Sequence, residues 1–163
     1  HLSGPIFISK GVQIEPTAYI QGPCFIGPNT EVRHGAYIRG NVYVGANCVV
    51  GHTTEVKGSV FFDGAKAGHF AYVGDSLLGR NTILGAGTKM ANLKLKGKAV
   101  RYTHPETNEL EESGLRKFGS ILGDEAQTGC NAVLSPGTLL LPKTFVMPNV
   151  HYHGTLMKGL GKE

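Results

Sequence analysis

The sequence lacks several features that would place it in a common class of protein. It contains no Trp, few aromatic residues and only three cysteines, Cys24, Cys48 and Cys130, with no CxxC pair among them. An odd, scattered set of cysteines without a secretory leader favours a reduced, cytoplasmic setting over a disulfide scaffold. The chain begins at His1 rather than at Met, as a fragment or a processed chain does.

The net charge and the lengths of the apolar runs argue against two further classes, nucleic-acid-binding proteins and membrane-spanning proteins. The formal net charge is only +4, and the basic residues form no stripes interleaved with aromatics, so nucleic acid is not an expected partner. No apolar run approaches the roughly 18 residues of a transmembrane helix, so no membrane is expected either. The length predicts a single domain over residues 1–163.

What the sequence has instead is a six-residue repeat. Every sixth position carries a large apolar side chain: Ile8, Ile14, Ile20, Ile26, Val32, Ile38, Val44, Val50, Val56 and Phe62. Four residues after each of them the side chain is usually small, and Cys24 and Cys48 fill two of these slots as packing residues. The same period returns at Leu78 and again at Leu122, and many of the 24 glycines fall at the corners between repeats.

This period predicts an all-β fold. Six is a multiple of the two-residue repeat of a strand and does not match the 3.6-residue repeat of a helix. We predict a parallel β-helix in which three hexapeptides make one triangular coil, so that side chains stack about every 18 residues.

The period fails at residues 63–77, which include the stretch KAGHFAYVGD, and again at about residues 93–119. We interpret the second interval, which is polar and long, as a protruding loop that supplies a pocket against a flat wall. Residues from about 151 to 163 are predicted to form a short C-terminal tail.

Three stretches carry a resemblance to a known family: KAGHFAYVGD, LGAGTKMANLKLKGK and GLRKFGSILGDEAQTGCNAVLSPG. Together they resemble the C-terminal half of archaeal-type sugar-1-phosphate nucleotidylyltransferase/acetyltransferases. Residues 33–92 are similar to the acetyltransferase domain of bifunctional N-acetylglucosamine-1-phosphate uridyltransferases. The resemblance implies a left-handed β-helix and a homotrimer with the donor site shared between neighbours. It also implies transfer of an acyl group, acetyl from acetyl-CoA, to an amino sugar phosphate such as glucosamine 1-phosphate, with no metal required.

The resemblance also implies roles for single residues. His69 matches the general base, since an imidazole can take the proton of an attacking amine near neutral pH. Asn92 matches an asparagine that orients the acceptor or the oxyanion. The acceptor-binding positions are matched by Arg39, Lys57, Tyr72, Lys98 and Arg101, the last of which replaces a lysine of the archaeal-type relatives. The backbone near Ala86 and the side chain of Cys130 match the contacts of acetyl-CoA.

Some departures of the sequence from the pattern of this family leave other functions open. Ile83 and Cys130 stand where bacterial relatives have Asn and Ser, and these 163 residues include no nucleotidyltransferase domain. Both facts favour an alternative, a non-catalytic oligomerising or regulatory module related to sugar nucleotidyltransferases. A γ-type carbonic anhydrase needs three histidines on zinc. His52 and His69 suit one coil, but no third histidine is expected at a fitting offset, and no metal site is predicted.

Overall fold

The protein is a three-sided parallel β-solenoid, and the computed structural model describes residues 1–161. Each side is an 8-stranded parallel sheet, and a separate antiparallel pair of strands lies outside the three sheets. The chain visits the three sides in turn, so each strand pairs with strands one coil before and one coil after it. Residues 1–161 contain no helix, which confirms the predicted all-β solenoid.

The sides are named here A, B and C. Side A contains β1 (Leu2–Ser3), β4 (Tyr19–Gln21), β7 (Tyr37–Arg39), β10 (Glu55–Lys57), β13 (Tyr72–Gly74), β16 (Lys89–Met90), β21 (Val133–Leu134) and β24 (His151–Tyr152). Side B contains β2 (Ile6–Ile8), β5 (Cys24–Ile26), β8 (Val42–Val44), β11 (Val60–Phe61), β14 (Leu77–Leu78), β19 (Ser120–Leu122), β22 (Thr138–Leu140) and β25 (Thr155–Leu156). Side C contains β3 (Gln13–Ile14), β6 (Glu31–Val32), β9 (Val49–His52), β12 (Lys66–His69), β15 (Ile83–Leu84), β20 (Gln127–Thr128), β23 (Phe145–Val146) and β26 (Leu160–Gly161). The antiparallel pair is β17 (Arg101–Thr103) and β18 (Leu110–Glu112).

The core is a set of stacked columns, one inward side chain per strand. On side A the buried column includes Ile20, Ile38, Val56, Val73, Met90 and Leu134, all at 0% exposure. Small buried residues fill the corners, and several of them are threonines that satisfy the backbone there. Thr30 Oγ1, for example, donates to the carbonyl oxygen of Gly45 at 2.8 Å and accepts from the Cys48 amide at 3.0 Å. Buried hydroxyls at corners therefore stabilise the turns between sides.

The six-residue period does not fail between residues 63 and 77; it is displaced by one position. Phe61 is fully buried, whereas Phe62, the predicted inward residue, is 37% exposed. Phe61 pairs with Val44, 17 positions earlier, so the segment from Val56 to Phe61 is one residue short. Ala67 and Val73 then continue the inward columns at 0% exposure. A second short segment leads from Val73 to Leu78, so the prediction of a suspended repeat is wrong.

Two serines sit at the corners of these short segments. The period predicts Val60 in the small corner position, but Ser59 is the residue buried there. Ser76 is buried at the same corner one coil later. Ser59 Oγ donates to the Lys57 carbonyl at 2.7 Å and accepts from the Ser76 amide at 3.1 Å. Ser76 Oγ donates to the Gly74 carbonyl at 2.7 Å and accepts from the Ser120 amide at 3.0 Å. The two hydroxyls thus bond backbone groups within and between adjacent coils.

The first coil is less covered than the sequence predicts. Ile8 and Ile14, both expected to point inward, are 38% and 37% exposed. Strands β2 and β3 each pair with one neighbour only, so their side chains have a coil on one side and none on the other. The other end differs as well: residues 151–161, expected to form a tail, provide β24, β25 and β26. Positions 162 and 163 of that predicted tail lie outside the described residues.

The long loop predicted at residues 93–119 is an ordered insertion between β16 and β19. Leu78 pairs directly with Leu122, and Met90 with Leu134, so the coils on either side of it stack as if it were absent. Its two ends meet, because the Phe118 amide donates to the Asn92 carbonyl at 3.0 Å. Val100 within it is fully buried. None of the described residues forms a helix that could cross a membrane.

Candidate functional site

Four side chains on side A form one hydrogen-bonded group, the Asp75 cluster: Lys57, Tyr72, Asp75 and Asn92. Lys57 Nζ donates to both carboxylate oxygens of Asp75, at 2.8 Å and 2.9 Å. Asn92 Nδ2 donates to Asp75 Oδ2, and the Tyr72 hydroxyl donates to Asn92 Oδ1 at 3.4 Å. The Lys57 and Asp75 side chains are only 21% and 23% exposed. Asp75, which was not among the predicted site residues, therefore brings together three residues that were: Lys57, Tyr72 and Asn92.

The backbone of β13 makes room for this cluster. A Cβ on Gly74 would lie 2.7 Å from Asn92 Nδ2 and 2.8 Å from the Tyr72 hydroxyl, so a glycine is needed for both groups to lie across the strand. Asp75 follows at the corner with φ of 47°, a left-handed conformation that Asp tolerates better than most residues. Sequence reasoning assigned no role to Gly74 or Asp75. The signal available was their position at the end of the KAGHFAYVGD stretch.

Arg39 also lies on side A, but a different carboxylate binds it. Arg39 Nη1 donates to Glu55 Oε1 at 2.7 Å, and the guanidinium lies 5.7 Å from the centre of the Tyr37 ring. The hydrogen bond to Glu55, with its negative charge, raises the pKa of Arg39 above its ordinary value. Arg39 and Lys57, both matched to acceptor binding in the sequence, thus each hold a carboxylate of the same chain, Glu55 and Asp75.

His69 lies at a different place, the corner between sides C and A. It is exposed, and strand pairing sets it beside His52. Asn92 follows β16 at the corner between sides A and B, in register with Asp75, so β13 separates the backbone of His69 from that of Asn92. Tyr72, at the start of β13, lies between them. Within the described residues the Asn92 side chain bonds to Tyr72 and Asp75 and not to His69.

The predicted acetyl-CoA contacts share the corner of His69. The Gly87 amide donates to the His69 carbonyl at 3.1 Å, and the Asn131 amide donates to the Ala86 carbonyl at 2.8 Å. His69, Ala86 and Cys130 therefore stack on three successive coils, although 44 residues separate the last two. Cys130 is exposed, whereas Cys24 and Cys48 are buried. Burial raises the pKa of Cys24 to about 11 and also raises that of Cys48, which keeps both thiols protonated and unreactive.

A third histidine, His34, stands on this same edge and was missed in the sequence. Its ring stacks on that of His52 with 4.0 Å between centres and 26° between planes. The offset from His34 to His52 is one coil, so the expectation that no third histidine fits was wrong. Stacked rings do not direct their nitrogens to one point, however. Among residues 1–161 no group of three or more His, Cys, Asp or Glu side chains is placed to hold a metal ion.

Lys98 and Arg101 line a groove between the insertion and side A. The groove has a volume of about 710 Å³, and β21 and β24 form its floor. Ala91 and Leu93 also line it, so it begins next to Asn92. The predicted site residues thus occupy four places: the C–A corner, the Asp75 cluster, the Arg39–Glu55 pair and the groove.

Comparison with known proteins places the chain in a family. A family model described as the GMPPB C-terminal domain matches residues 20–156, which is most of the chain. The chain belongs to the GMPPB C-terminal domain family.

Curated relatives of the chain confirm the resemblance stated from the sequence. A bifunctional sugar-1-phosphate nucleotidylyltransferase/acetyltransferase of Sulfurisphaera tokodaii is 37% identical over 75 residues, 46% of this chain and 18% of that protein. The bifunctional protein GlmU of Methanococcus aeolicus is 32% identical over 85 residues, 52% of this chain and 20% of that protein. The chain spans about a fifth of the length of these relatives.

A solved structure supports the fold of the chain. A hexapeptide transferase family protein from Anaplasma phagocytophilum aligns over 94% of this chain and 78% of its own, with a TM-score of 0.66 and 15% identity. At that identity the likeness concerns the hexapeptide solenoid alone.

Proposed function

We propose that the chain transfers an acyl group, acetyl from acetyl-CoA, to the amine of an amino sugar phosphate such as glucosamine 1-phosphate. The observation that carries the proposal is the C–A corner, where the predicted base His69 and both predicted donor contacts, Ala86 and Cys130, stack on three successive coils. The Ala86 N–H donates to no acceptor within the described residues, which suits a contact to the donor. The relatives whose names include acetyltransferase support the same chemistry.

The reaction requires one proton to be moved. The amine nitrogen forms a bond to the thioester carbonyl carbon, and the proton that it loses passes to a ring nitrogen of His69. The carbon–sulfur bond then breaks, and the thiolate of CoA leaves and takes that proton from His69. Backbone N–H groups near Ala86 stabilise the oxyanion that forms on the carbonyl oxygen. The thioester is already activated, so this mechanism uses no metal.

The acceptor is held, in this proposal, by the remaining site residues. Asn92 and Tyr72 offer fixed hydrogen-bonding groups over Gly74. Lys98 and Arg101, in the groove next to Asn92, are the cations for the acceptor phosphate. Lys57 and Arg39 act mainly by ordering Asp75 and Glu55.

The distance between His69 and Asn92 within one chain favours a site built from more than one copy. We propose a homotrimer in which the corner of one subunit faces the Asp75 cluster of a neighbour, located in the cytoplasm as the three free cysteines suggest. Sedimentation equilibrium should give the mass of three chains. A monomer at assay concentrations would contradict this arrangement.

The base role of His69 is tested by substitution. His69→Ala should lower kcat for release of CoA thiol, with glucosamine 1-phosphate as acceptor, by about 100-fold or more. His34→Ala is the matched control, because it removes an exposed histidine from the same edge without touching the C–A corner contacts of His69. Equal activity of both variants would remove His69 from the mechanism.

A second function, a non-catalytic assembly module, is favoured by one observation. Arg39 and Lys57 are already neutralised by Glu55 and Asp75, and paired cations are weaker phosphate ligands than free ones. If the wild-type chain shows no acetyl-CoA turnover with a panel of amino sugar phosphates, this second function is the correct one.

A further inference from the structure

The groove between the insertion and side A concentrates positive charge without a compensating carboxylate. Its basic lining residues come from both walls: Lys94, Lys96, Lys98, Arg101, His151 and His153. No Asp or Glu lines it, although the net charge of the whole chain is only +4. Such a groove attracts and holds anions.

The lysines and the arginine of the groove are free to bind. Within residues 1–161 the ion pairs of the protein involve other cations, among them Arg39 and Lys57, and none of Lys94, Lys96 and Lys98 is in one. Arg101 donates only to a backbone carbonyl, that of Leu110, at 3.3 Å. Four unpaired cations facing one cavity are poorly explained by solubility alone, since scattered surface charges would serve that purpose.

The floor of the groove adds polar and apolar contacts. Ser135 Oγ and His151 Nε2 lie 2.7 Å apart in a hydrogen bond, which fixes the imidazole at the edge of β24. Val133, Pro136 and Leu110 supply apolar surface beside them. The groove volume of about 710 Å³ lies within the roughly 300–1,000 Å³ of pockets that enclose drug-sized ligands. A ligand with an apolar or flat part next to its charge would use both kinds of surface.

We propose that this groove binds a diphosphate ester with a flat or apolar substituent, the chemistry of a nucleoside diphosphate. Two phosphates use the four free cations, and a base or similar group covers Val133 and Pro136. The imidazoles of His151 and His153 complete the anion site. The inference shares Lys98 and Arg101 with the proposed function, but it requires binding only, so it stands or falls separately from acyl transfer.

Calorimetric titration of the 163-residue chain tests the ligand class. UDP and GDP are expected to bind about tenfold or more tightly than inorganic pyrophosphate or glucosamine 1-phosphate, with affinity falling as salt rises. CoA carries the same diphosphate chemistry, so tight CoA binding in competition with UDP would identify the acyl donor as the source. If glucosamine 1-phosphate binds as tightly as the diphosphates, the inference is wrong.

Charge-matched variants locate the site. Lys94→Gln with Lys96→Gln, residues to which the proposed function assigns no role, should weaken UDP binding about tenfold. Lys143→Gln with Lys158→Gln makes the same charge change at corners between sides B and C and should leave it within about twofold. An equal loss in both double variants would show binding by general surface charge and overturn the proposal. Because the readout is heat of binding, inactivity in acetyl transfer does not affect it.

Discussion

Gly74 is the single residue on which the Asp75 cluster most depends. Its missing side chain lets Asn92 and Tyr72 meet above β13, and its φ is not in the left-handed region. The backbone would therefore accept an alanine, and only the ends of two side chains would have to move.

Gly74→Ala should consequently separate function from stability. We expect a clear loss of acetyl transfer, because the Asn92 amide is displaced, with a melting temperature close to that of the wild type. Gly68→Ala is the matched control, since a Cβ there meets nothing within 4 Å. Thermal unfolding and the thiol-release assay on both variants check this; equal activity would mean that the position of Asn92 does not matter.

The sequence could predict some members of the cluster and not others. Lys57 and Asn92 each lie at a fixed offset from an inward aliphatic residue, so their place on side A follows from the repeat. Asp75 could not be found in that way, because its role depends on a corner conformation and on side chains from adjacent coils. The separation of His69 from Asn92 was hidden for another reason: the short segment from Val73 to Leu78 lies between them and shifts the count of six.

At the scale of elements, the main irregularity is the pair of segments that are one residue short, from Val56 to Phe61 and from Val73 to Leu78. Adjacent apolar residues Phe61 and Phe62 concealed the first one, since a fixed count of six finds an apolar side chain in either frame. The inward positions from Ile20 to Val56 were predicted correctly, because the count of six is intact there and coils cover both sides. The buried serines at the short corners were the physical sign of the change.

Ser76→Ala should destabilise the protein by about 1–2 kcal/mol, because the buried Ser120 amide loses its acceptor. Ser120→Ala is the matched control at the same contact. Its own hydroxyl oxygen is buried with no hydrogen-bond partner among the described residues, so its removal should be neutral or slightly stabilising. Urea unfolding of the two variants gives both free energies. A larger loss for Ser120→Ala would contradict the assignment of these hydrogen bonds.

For the whole molecule, the insertion is an addition to a continuous solenoid. Leu93 bridges Lys117 in antiparallel fashion, so a two-residue turn can replace residues 94–116. We expect the shortened chain to keep the far-UV spectrum of a β-protein. It should unfold at a lower temperature, because the cover over side A is lost, and it should no longer bind UDP. A chain that fails to fold would show that the insertion belongs to the core.

Every strand of the three sides pairs only with the coils directly before and after it. A pulling force applied to the two chain ends would therefore be resisted by one coil at a time. Most coils would release a similar length as they peel away, about that of the 17 residues from Val44 to Phe61. The coil that contains the insertion would release the 44 residues from Leu78 to Leu122, a single long extension that marks its position in a force trace.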